Sequence, residues 1–131
     1  MLFRDVLTCK TQPNKRLDIT KHVQKIIQKY RVQDGLCNIF LKATTAGIML
    51  NEDDKMLMAD MEKHFEALAP KDKIYHHSEN AHSHIRSAML NQSITIPIAN
   101  GQLLMGSWQN IILWEFDVKE RERIVVVTMI A

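Results

Sequence analysis

The sequence predicts a single α+β domain that spans residues 1–131. Three observations favour this fold class. A chain of 131 residues is long enough to bury one core of its own. Apolar residues recur at helical spacing in three segments, and the last third of the chain reads instead as strands around an Asn-Gly pair, which is typical of a tight hairpin. No internal repeat or linker is apparent, so we expect the helices and strands to share one core, with a mainly antiparallel C-terminal half.

The first part of the chain predicts two strands followed by an amphipathic helix. Residues 3–11 have the pattern of an edge strand, which the turn at 12–15 ends, and residues 17–19 are expected to pair briefly. Thr20 is a suitable N-cap, and Gly35 is a suitable stop. The apolar stripe of this helix contains Val23, Ile26, Ile27 and Tyr30.

Two apolar segments, 36–41 and 46–50, predict buried strands that form either a pair or one bent strand. Asn51 is then expected to cap a second helix that Pro70 ends. Acidic residues 52–54 would lie in its first turn, where the helix dipole favours them. Its apolar stripe contains Leu57, Met61, Phe65 and Leu68.

The remaining elements are a loop, a short helix and four strands. Residues 71–78 predict the loop, and residues 80–91 predict a helix. The expected inward face of that helix carries Ala81, His84, Ile85, Ala88 and Met89. Strands at 93–98 and 102–105 flank Asn100-Gly101, and strands at 109–116 and 123–130 complete the sheet.

Composition and charge exclude several classes of protein. The net charge of +2 comes from interspersed residues, so we expect no nucleic-acid partner. No apolar run is long enough to span a membrane, and the N-terminus lacks the pattern of a secretory signal, so we expect a cytoplasmic protein without membrane attachment. Cys9 and Cys37 lack metal-binding spacing and are expected to be reduced and packed.

Histidine density is the main functional clue, because four of the six histidines lie between His76 and His84. Imidazoles transfer protons near neutral pH, bind divalent metals or pair with phosphate, and the cluster alone does not choose among these roles. His76 and His82 are expected to be solvated. His84 lies on the predicted apolar stripe, so it is either a satisfied core residue or a site residue.

Other chemically distinctive residues have plain structural interpretations. Asp60 and His64 are one helical turn apart and are expected to form at most a weak surface pair. Trp108 and Trp114 are expected in strands, where they fill the core or a subunit contact. For Arg121 and Arg123, a solvated face is favoured over a subunit interface.

Short motifs spread along the chain resemble those of the YjbQ family, whose members are called secondary thiamine-phosphate synthases. They are, in order, Thr44-Thr45-Ala46, Leu50-Asn51-Glu52, Asp60, Tyr75-x-His77, Ser83-His84-Ile85, Ser87-Ala88-Met89-Leu90 and Gly106-Ser107-Trp108-Gln109. The resemblance implies an α+β fold with an extensive mixed sheet, a homotrimer and a polar pocket. Family members are reported to form thiamine phosphate from a pyrimidine diphosphate and a thiazole phosphate.

The resemblance also implies a site and a small phosphorylated metabolite as its partner. The implied catalytic residues are Glu52, Asp60, His77 and His84; the implied substrate-binding residues are Thr44, Thr45, Asn80 and Gln109. No cofactor is certain, although Asp60, His77 and His84 are candidate ligands for a divalent metal ion. Ala43 replaces a histidine that the family usually carries there. Three functions stay open: a weak thiamine-phosphate synthase, a non-catalytic phosphate-binding module and a metal-dependent hydrolase.

Overall fold

The fold is built from two antiparallel sheets and three helices within residues 1–77 and 79–131, which are the residues that the computed structural model describes. The elements are β1 (Leu2–Thr11), β2 (Arg16–Asp18), α1 (Thr20–Lys29), β3 (Gly35–Leu41), β4 (Ala46–Asn51), α2 (Lys55–Leu68), α3 (Ala81–Met89), β5 (Ser93–Ala99), β6 (Gln102–Leu103), β7 (Asn110–Glu115) and β8 (Arg121–Ile130). The α+β prediction is confirmed, and each strand pairing in the described part of the chain is antiparallel.

The two sheets have the strand orders β1-β8-β3-β5-β6 and β2-β7-β4. The prediction that β3 and β4 form a pair or a bent strand was wrong, because the two strands belong to different sheets. Leu41 pairs with Val125 of β8, whereas Ala46 pairs with Glu115 of β7. The polar segment 42–45 therefore crosses from one sheet to the other. The crossing depends on strand pairing between residues distant in sequence, which local hydrophobicity does not predict.

Helix α1 packs its Val23 and Ile27 side chains into the main core. Thr20 is its first residue and not its cap. The Asp18 carboxylate accepts hydrogen bonds from the Thr20 amide at 3.0 Å and the Thr20 hydroxyl at 2.6 Å. The helix ends at Lys29 and Arg31 adopts a left-handed conformation, so Gly35 is not the stop but the first residue of β3.

Helix α2 begins three residues later than predicted, because Asp54 and not Asn51 caps it. Asp54 accepts a hydrogen bond from the Leu57 amide at 2.9 Å, and Asn51 instead pairs with Asn110 at the end of β4. Phe65 is buried against the rings of Trp114 and Phe116 in a second core cluster. The last residue of the predicted stripe, Leu68, is exposed.

Helix α3 buries a different face from the one that its apolar residues predict, and of the five predicted inward residues Ala81 alone is buried. Its buried residues are Ala81, His82, Ser83, Arg86 and Ser87, whereas Ile85 and Met89 are exposed. Ser87 donates a hydrogen bond to the Ala46 carbonyl at 2.6 Å, which attaches the helix to β4. Gly47 permits this close approach, because a Cβ atom at that position would lie 2.6 Å from the Leu90 Cβ.

The hairpin prediction is confirmed, since Asn100 and Gly101 have φ angles of 53° and 74° between β5 and β6, both in the left-handed region that a two-residue hairpin turn uses. Trp114 lies in the core as predicted, but Trp108 is 73% exposed in a turn and not in a strand. Both cysteines are buried and free, as expected.

Residues 71–77 contain no helix or strand, in agreement with the predicted loop, and its last residue, Ser78, lies outside the described residues. No helix in the described ranges is long and apolar enough to cross a membrane.

Candidate functional site

A polar cleft of about 630 Å³ opens where the sheet-crossing segment meets the start of α3 and the start of β8. Segment 42–45 forms one wall because it passes between the sheets. Asn80 and His84 reach the cleft from the first turn of α3, and Arg121 and Arg123 reach it from β8. The lining residues are Phe40, Leu41, Lys42, Ala43, Thr44, Thr45, Asn80, His84, Gln92, Arg121 and Arg123.

Four of the eight predicted site residues line this cleft, and a fifth lies beside it. Thr44, Thr45, Asn80 and His84 line it. His77 joins them from the preceding loop, because its Nε2 lies 3.1 Å from the Asn80 Oδ1 and its ring packs edge to face against the His84 ring with 5.0 Å between centroids. One imidazole, two hydroxyls and an amide of the predicted site therefore line the cleft, and a second imidazole packs against the first from outside the lining.

The other three predicted residues do not line the cleft. Glu52 is exposed just after β4, and Asp60 is exposed on α2. The Gln109 side chain accepts a hydrogen bond from the Gly106 amide at 2.8 Å and so closes its own turn. Consequently, the three candidate metal ligands do not assemble, and no group of three or more His, Cys, Asp or Glu suited to a metal ion occurs in residues 1–77 and 79–131.

A buried ion pair between Glu115 and Arg123 lies beneath the cleft. Arg123 donates to both carboxylate oxygens of Glu115, through Nε at 2.7 Å and Nη2 at 2.5 Å. Its Nη2 also donates to the Thr45 hydroxyl at 2.6 Å, and the Thr11 hydroxyl donates to Glu115 at 2.6 Å. Because Glu115 is 0% exposed and Arg123 is 7% exposed, the solvated face favoured for Arg123 was wrong.

Asp117 is a second buried carboxylate of this cluster, and it accepts hydrogen bonds from several neighbours. They include the Val118 amide at 2.8 Å, Arg121 Nε at 2.8 Å and Asn80 Nδ2 at 3.2 Å. Burial alone would raise the pKa of Asp117, but these donors outweigh it and lower the pKa to about 2. Asp117 is thus ionised and holds Arg121 and Asn80 in place from below.

His82 is buried at 2% exposure, so the prediction that it is solvated was wrong. It is buried next to Ala81 at the start of α3, where its Nε2 lies 3.3 Å from the Ser83 hydroxyl. Burial lowers the pKa of His82, and the nearby positive charges of Arg86 and Lys71 lower it further. His82 supports the helix that carries the site, whereas His76 is exposed as predicted.

The site predicted from the sequence omits the charged residues whose ion pairs support the cleft, namely Glu115, Asp117, Arg121 and Arg123. Glu115 could have been predicted from the sequence, because it is an acid that extends an otherwise apolar run in β7. A charged group in such a strand needs a buried partner, and the alternation of β8 places Arg123 on an inward position. Asp117 follows two residues later and gave no comparable signal.

The sequence matches the family described as UPF0047 protein YjbQ-like over residues 5–131. This chain belongs to the YjbQ family. A UPF0047 protein of Methanocaldococcus jannaschii is 36% identical over 129 residues, which cover 96% of this chain and 92% of that protein. A UPF0047 protein of Methanothermobacter thermautotrophicus is 34% identical over 113 residues, covering 84% of this chain and 79% of the relative.

Solved structures of the same family have the same fold. The crystal structure of an uncharacterised YjbQ/UPF0047 protein of Clostridium acetobutylicum superimposes with a TM-score of 0.89 at 36% identity, covering 96% of this chain and 99% of that one. A protein of unknown function from Sulfolobus solfataricus, described as YbjQ-like, gives a TM-score of 0.88 at 28% identity, and the match covers 98% of each chain. The family and its fold are therefore shown for this chain.

The buried pair generates a prediction on stability. Replacing Glu115 with Gln leaves the Arg123 guanidinium buried without a counter-charge, which we expect to lower the free energy of unfolding by about 3–5 kcal/mol. The control is Asp53→Asn, which breaks the partly exposed pair with Arg16 and is expected to cost at most about 1 kcal/mol. Urea denaturation of both variants measures the difference. Equal costs would mean that the buried pair does not hold the cluster.

Asp117 generates a prediction on pH dependence. Its folded pKa of about 2 lies below the ordinary 3.8, so its stabilising effect is full above about pH 4 and is lost as the pH falls through about 2. The shift corresponds to roughly 2 kcal/mol. Urea denaturation from about pH 5 to about pH 2 measures the free energy of unfolding of the wild type and of Asp117→Asn. Over this range, the wild type should lose roughly 2 kcal/mol relative to the variant. The exposed control Asp60→Asn should instead follow the wild type, and a constant gap for Asp117→Asn would contradict the assignment.

Proposed function

We propose that the cleft binds a small phosphorylated metabolite. The observation that carries this proposal is the composition of the lining, which contains two arginines, a lysine and a histidine but, among its described residues, no Asp or Glu. Hydroxyl groups of Thr44 and Thr45 and amides of Asn80 and Gln92 add further polar contacts. Such a set of charged and neutral donors matches the acceptor oxygens of a phosphate group.

The buried acids Glu115 and Asp117 do not line the cleft, but they bind the arginines that do. The guanidinium of Arg121 contacts Asp117 at 2.6 Å, yet its side chain keeps 39% exposure. An arginine has five N–H donors, so Arg121 can hold Asp117 and still donate to a ligand. Lys42 is exposed in the same cleft and forms no ion pair with the residues that the structure describes. The uncompensated positive charge therefore lies at Lys42.

For the reaction, we propose a weak thiamine-phosphate synthase activity, as the family resemblance implies. The thiazole nitrogen would displace pyrophosphate from the pyrimidine diphosphate, so one carbon–nitrogen bond forms as one carbon–oxygen bond breaks. The departing pyrophosphate accumulates negative charge, which donors fixed in advance stabilise. His84 and Arg121 are suited to that role because both lie in the cleft.

A second candidate function, binding without turnover, is favoured by Ala43. This residue lines the cleft, so the histidine that the family usually carries here would place a further imidazole among the other donors. Its absence removes one imidazole that could stabilise the departing pyrophosphate but leaves Lys42, Arg121 and Asn80 in place. The groups that bind phosphate are therefore more complete than the imidazoles that would assist the departure of pyrophosphate.

Binding and turnover are tested together on purified protein. Calorimetric titration with inorganic pyrophosphate should show saturable binding. Lys42→Gln should weaken it about tenfold, the loss of about one charged hydrogen bond, while the exposed control Lys21→Gln leaves it unchanged. Chromatographic assay of the two precursors should then detect thiamine phosphate with the wild type and none with His84→Ala.

Each outcome separates the candidates. Pyrophosphate binding without product favours the binding module, and product gained by Ala43→His would identify the missing imidazole as the cause. Absence of pyrophosphate binding, or equal binding by Lys42→Gln and wild type, would contradict the proposed phosphate site.

We also propose that the protein assembles as the homotrimer that the resemblance implies. An apolar face on the outside of the five-stranded sheet supports this, because Leu2, Ile130 and Leu36 lie in one row across three strands, and Val6 and Phe40 flank Val126 in a second row. The side chains of Leu2, Val6, Leu36, Phe40 and Ile130 are between 43% and 54% exposed. A polar row of Arg4, Thr128 and Asn38 lies between these two apolar rows. Exposed apolar patches with polar residues around them mark contact surfaces, and Phe40 joins this face to the cleft.

Light scattering after size-exclusion chromatography tests the trimer. The wild type should have three times the chain mass of 15.2 kDa, whereas Val6→Lys combined with Leu36→Lys should dissociate it, because two buried ammonium groups would lie in the contact. Ile74→Lys is the control, since Ile74 is exposed in a loop away from this face. A monomeric wild type, or a trimer that the double variant leaves intact, would exclude this face as the contact.

A further inference from the structure

We infer that Asp117 is a positioning residue that fixes the ring proton of His77 on Nε2, acting through the side-chain amide of Asn80. The arrangement follows from hydrogen-bond roles among these three side chains. Its chemical use, as a defined hydrogen-bond acceptor next to the cleft, rests on the proposed function.

The first step concerns the contact between Asp117 and Asn80. Asp117 Oδ1 lies 3.2 Å from the amide nitrogen of Asn80 and also accepts from the Val118 amide at 2.8 Å. Its other oxygen, Oδ2, accepts from Arg121. An ionised carboxylate has no proton to donate, so only the NH₂ group of Asn80 can face it. The orientation of the Asn80 amide is therefore determined by Asp117.

The second step concerns the opposite end of the same amide. With its NH₂ group towards Asp117, Asn80 presents Oδ1 to His77, and this oxygen lies 3.1 Å from the His77 Nε2. A carbonyl oxygen only accepts hydrogen bonds. Nε2 must therefore donate, so a neutral His77 carries its proton on Nε2 and keeps its lone pair on Nδ1.

The consequence is a defined base beside the second imidazole of the site. The His77 ring is held at 84° to the His84 ring, so both its orientation and its tautomer are set. If Asp117 were absent, the Asn80 amide could present either end, and either tautomer of His77 could form the bond. Asp117 does not itself line the cleft, and it acts on His77 only through Asn80, which makes it a positioning residue and not a catalytic one.

Nuclear magnetic resonance tests the inference without any assay of activity. Long-range ¹H–¹⁵N correlation spectra of protein labelled with ¹⁵N-histidine, recorded at about pH 8.5 where imidazoles are neutral, report which ring nitrogen is protonated. His77→Gln identifies the His77 signals. We expect Nε2–H alone in the wild type and a measurable Nδ1–H fraction in both Asp117→Ala and Asn80→Ala, seen as convergence of the two nitrogen shifts.

Asn38→Ala is the matched control, because Asn38 also bridges polar partners through its amide, but on β3 and away from His77. Its His77 signals should equal those of the wild type. If Asp117→Ala does not fold, Asn80→Ala decides, since it leaves the bonds of Asp117 to Val118 and Arg121 in place. A wild-type proton on Nδ1, or unchanged His77 signals in the folded variants, would overturn the inference.

The result is independent of the proposed function. If the His77 tautomer responds to Asp117 but pyrophosphate does not bind, the phosphate site fails and the positioning role stands. If pyrophosphate binds and the tautomer does not respond, the positioning role fails and the phosphate site stands.

Discussion

The buried pair between Glu115 and Arg123 is the interaction on which the cleft depends, because it joins the two sheets. Glu115 ends β7 in the three-stranded sheet, whereas Arg123 lies near the start of β8 in the five-stranded sheet. The cost of removing both charges from water is offset only by good geometry and by further hydrogen bonds. Arg123 meets both carboxylate oxygens, and the hydroxyls of Thr11 and Thr45 add bonds from β1 and from the crossing segment.

The same cluster explains why a polar cleft forms at this place. Segment 42–45 runs from β3, the central strand of the five-stranded sheet, to β4 in the other sheet. Thr45 ties it to Arg123 at 2.6 Å and to Asp117 at 3.3 Å. Asp117 in turn holds Arg121 and Asn80. Each donor that faces the cleft from these positions is therefore fixed from behind by a buried carboxylate. Such preorganisation is what a site for anions needs, because the donors do not have to reorient when a ligand binds.

How much of this could be read from the sequence depends on how local the determining interactions are. The hairpin at Asn100-Gly101 was predicted correctly because its left-handed backbone is a property of two residues. The cap of α2 was placed three residues early because Asn51 and Asp54 are both good caps, and only the pairing of Asn51 with Asn110 in β4 decides between them. Local patterns define elements well and their ends less well.

The site shows the same limit more strongly. The apolar stripe of α3 predicted the wrong buried face, because Ser83 and Ser87 find acceptors in the Phe116 and Ala46 carbonyls, which no periodicity of α3 reveals. The resemblance grouped five residues that lie close together in the structure, namely Thr44, Thr45, Asn80, His77 and His84. Family motifs reflect three-dimensional proximity, whereas composition does not. It did not include the carboxylates beneath them, which lie on other elements.

The family resemblance implies a histidine where this chain has Ala43, and this difference would affect turnover and binding in the cleft separately. The backbone of segment 42–45 is held by Thr45 and by the Lys42 and Ala43 amides, none of which needs an imidazole at position 43. Without that ring, the donors that line the cleft therefore stay where the buried cluster places them. On the proposed function, binding depends on Arg121, Lys42 and their supports, whereas turnover depends on how many imidazoles stabilise the departing pyrophosphate. On that proposal, the first set is intact in this chain, and the second consists of His84 with His77 beside it.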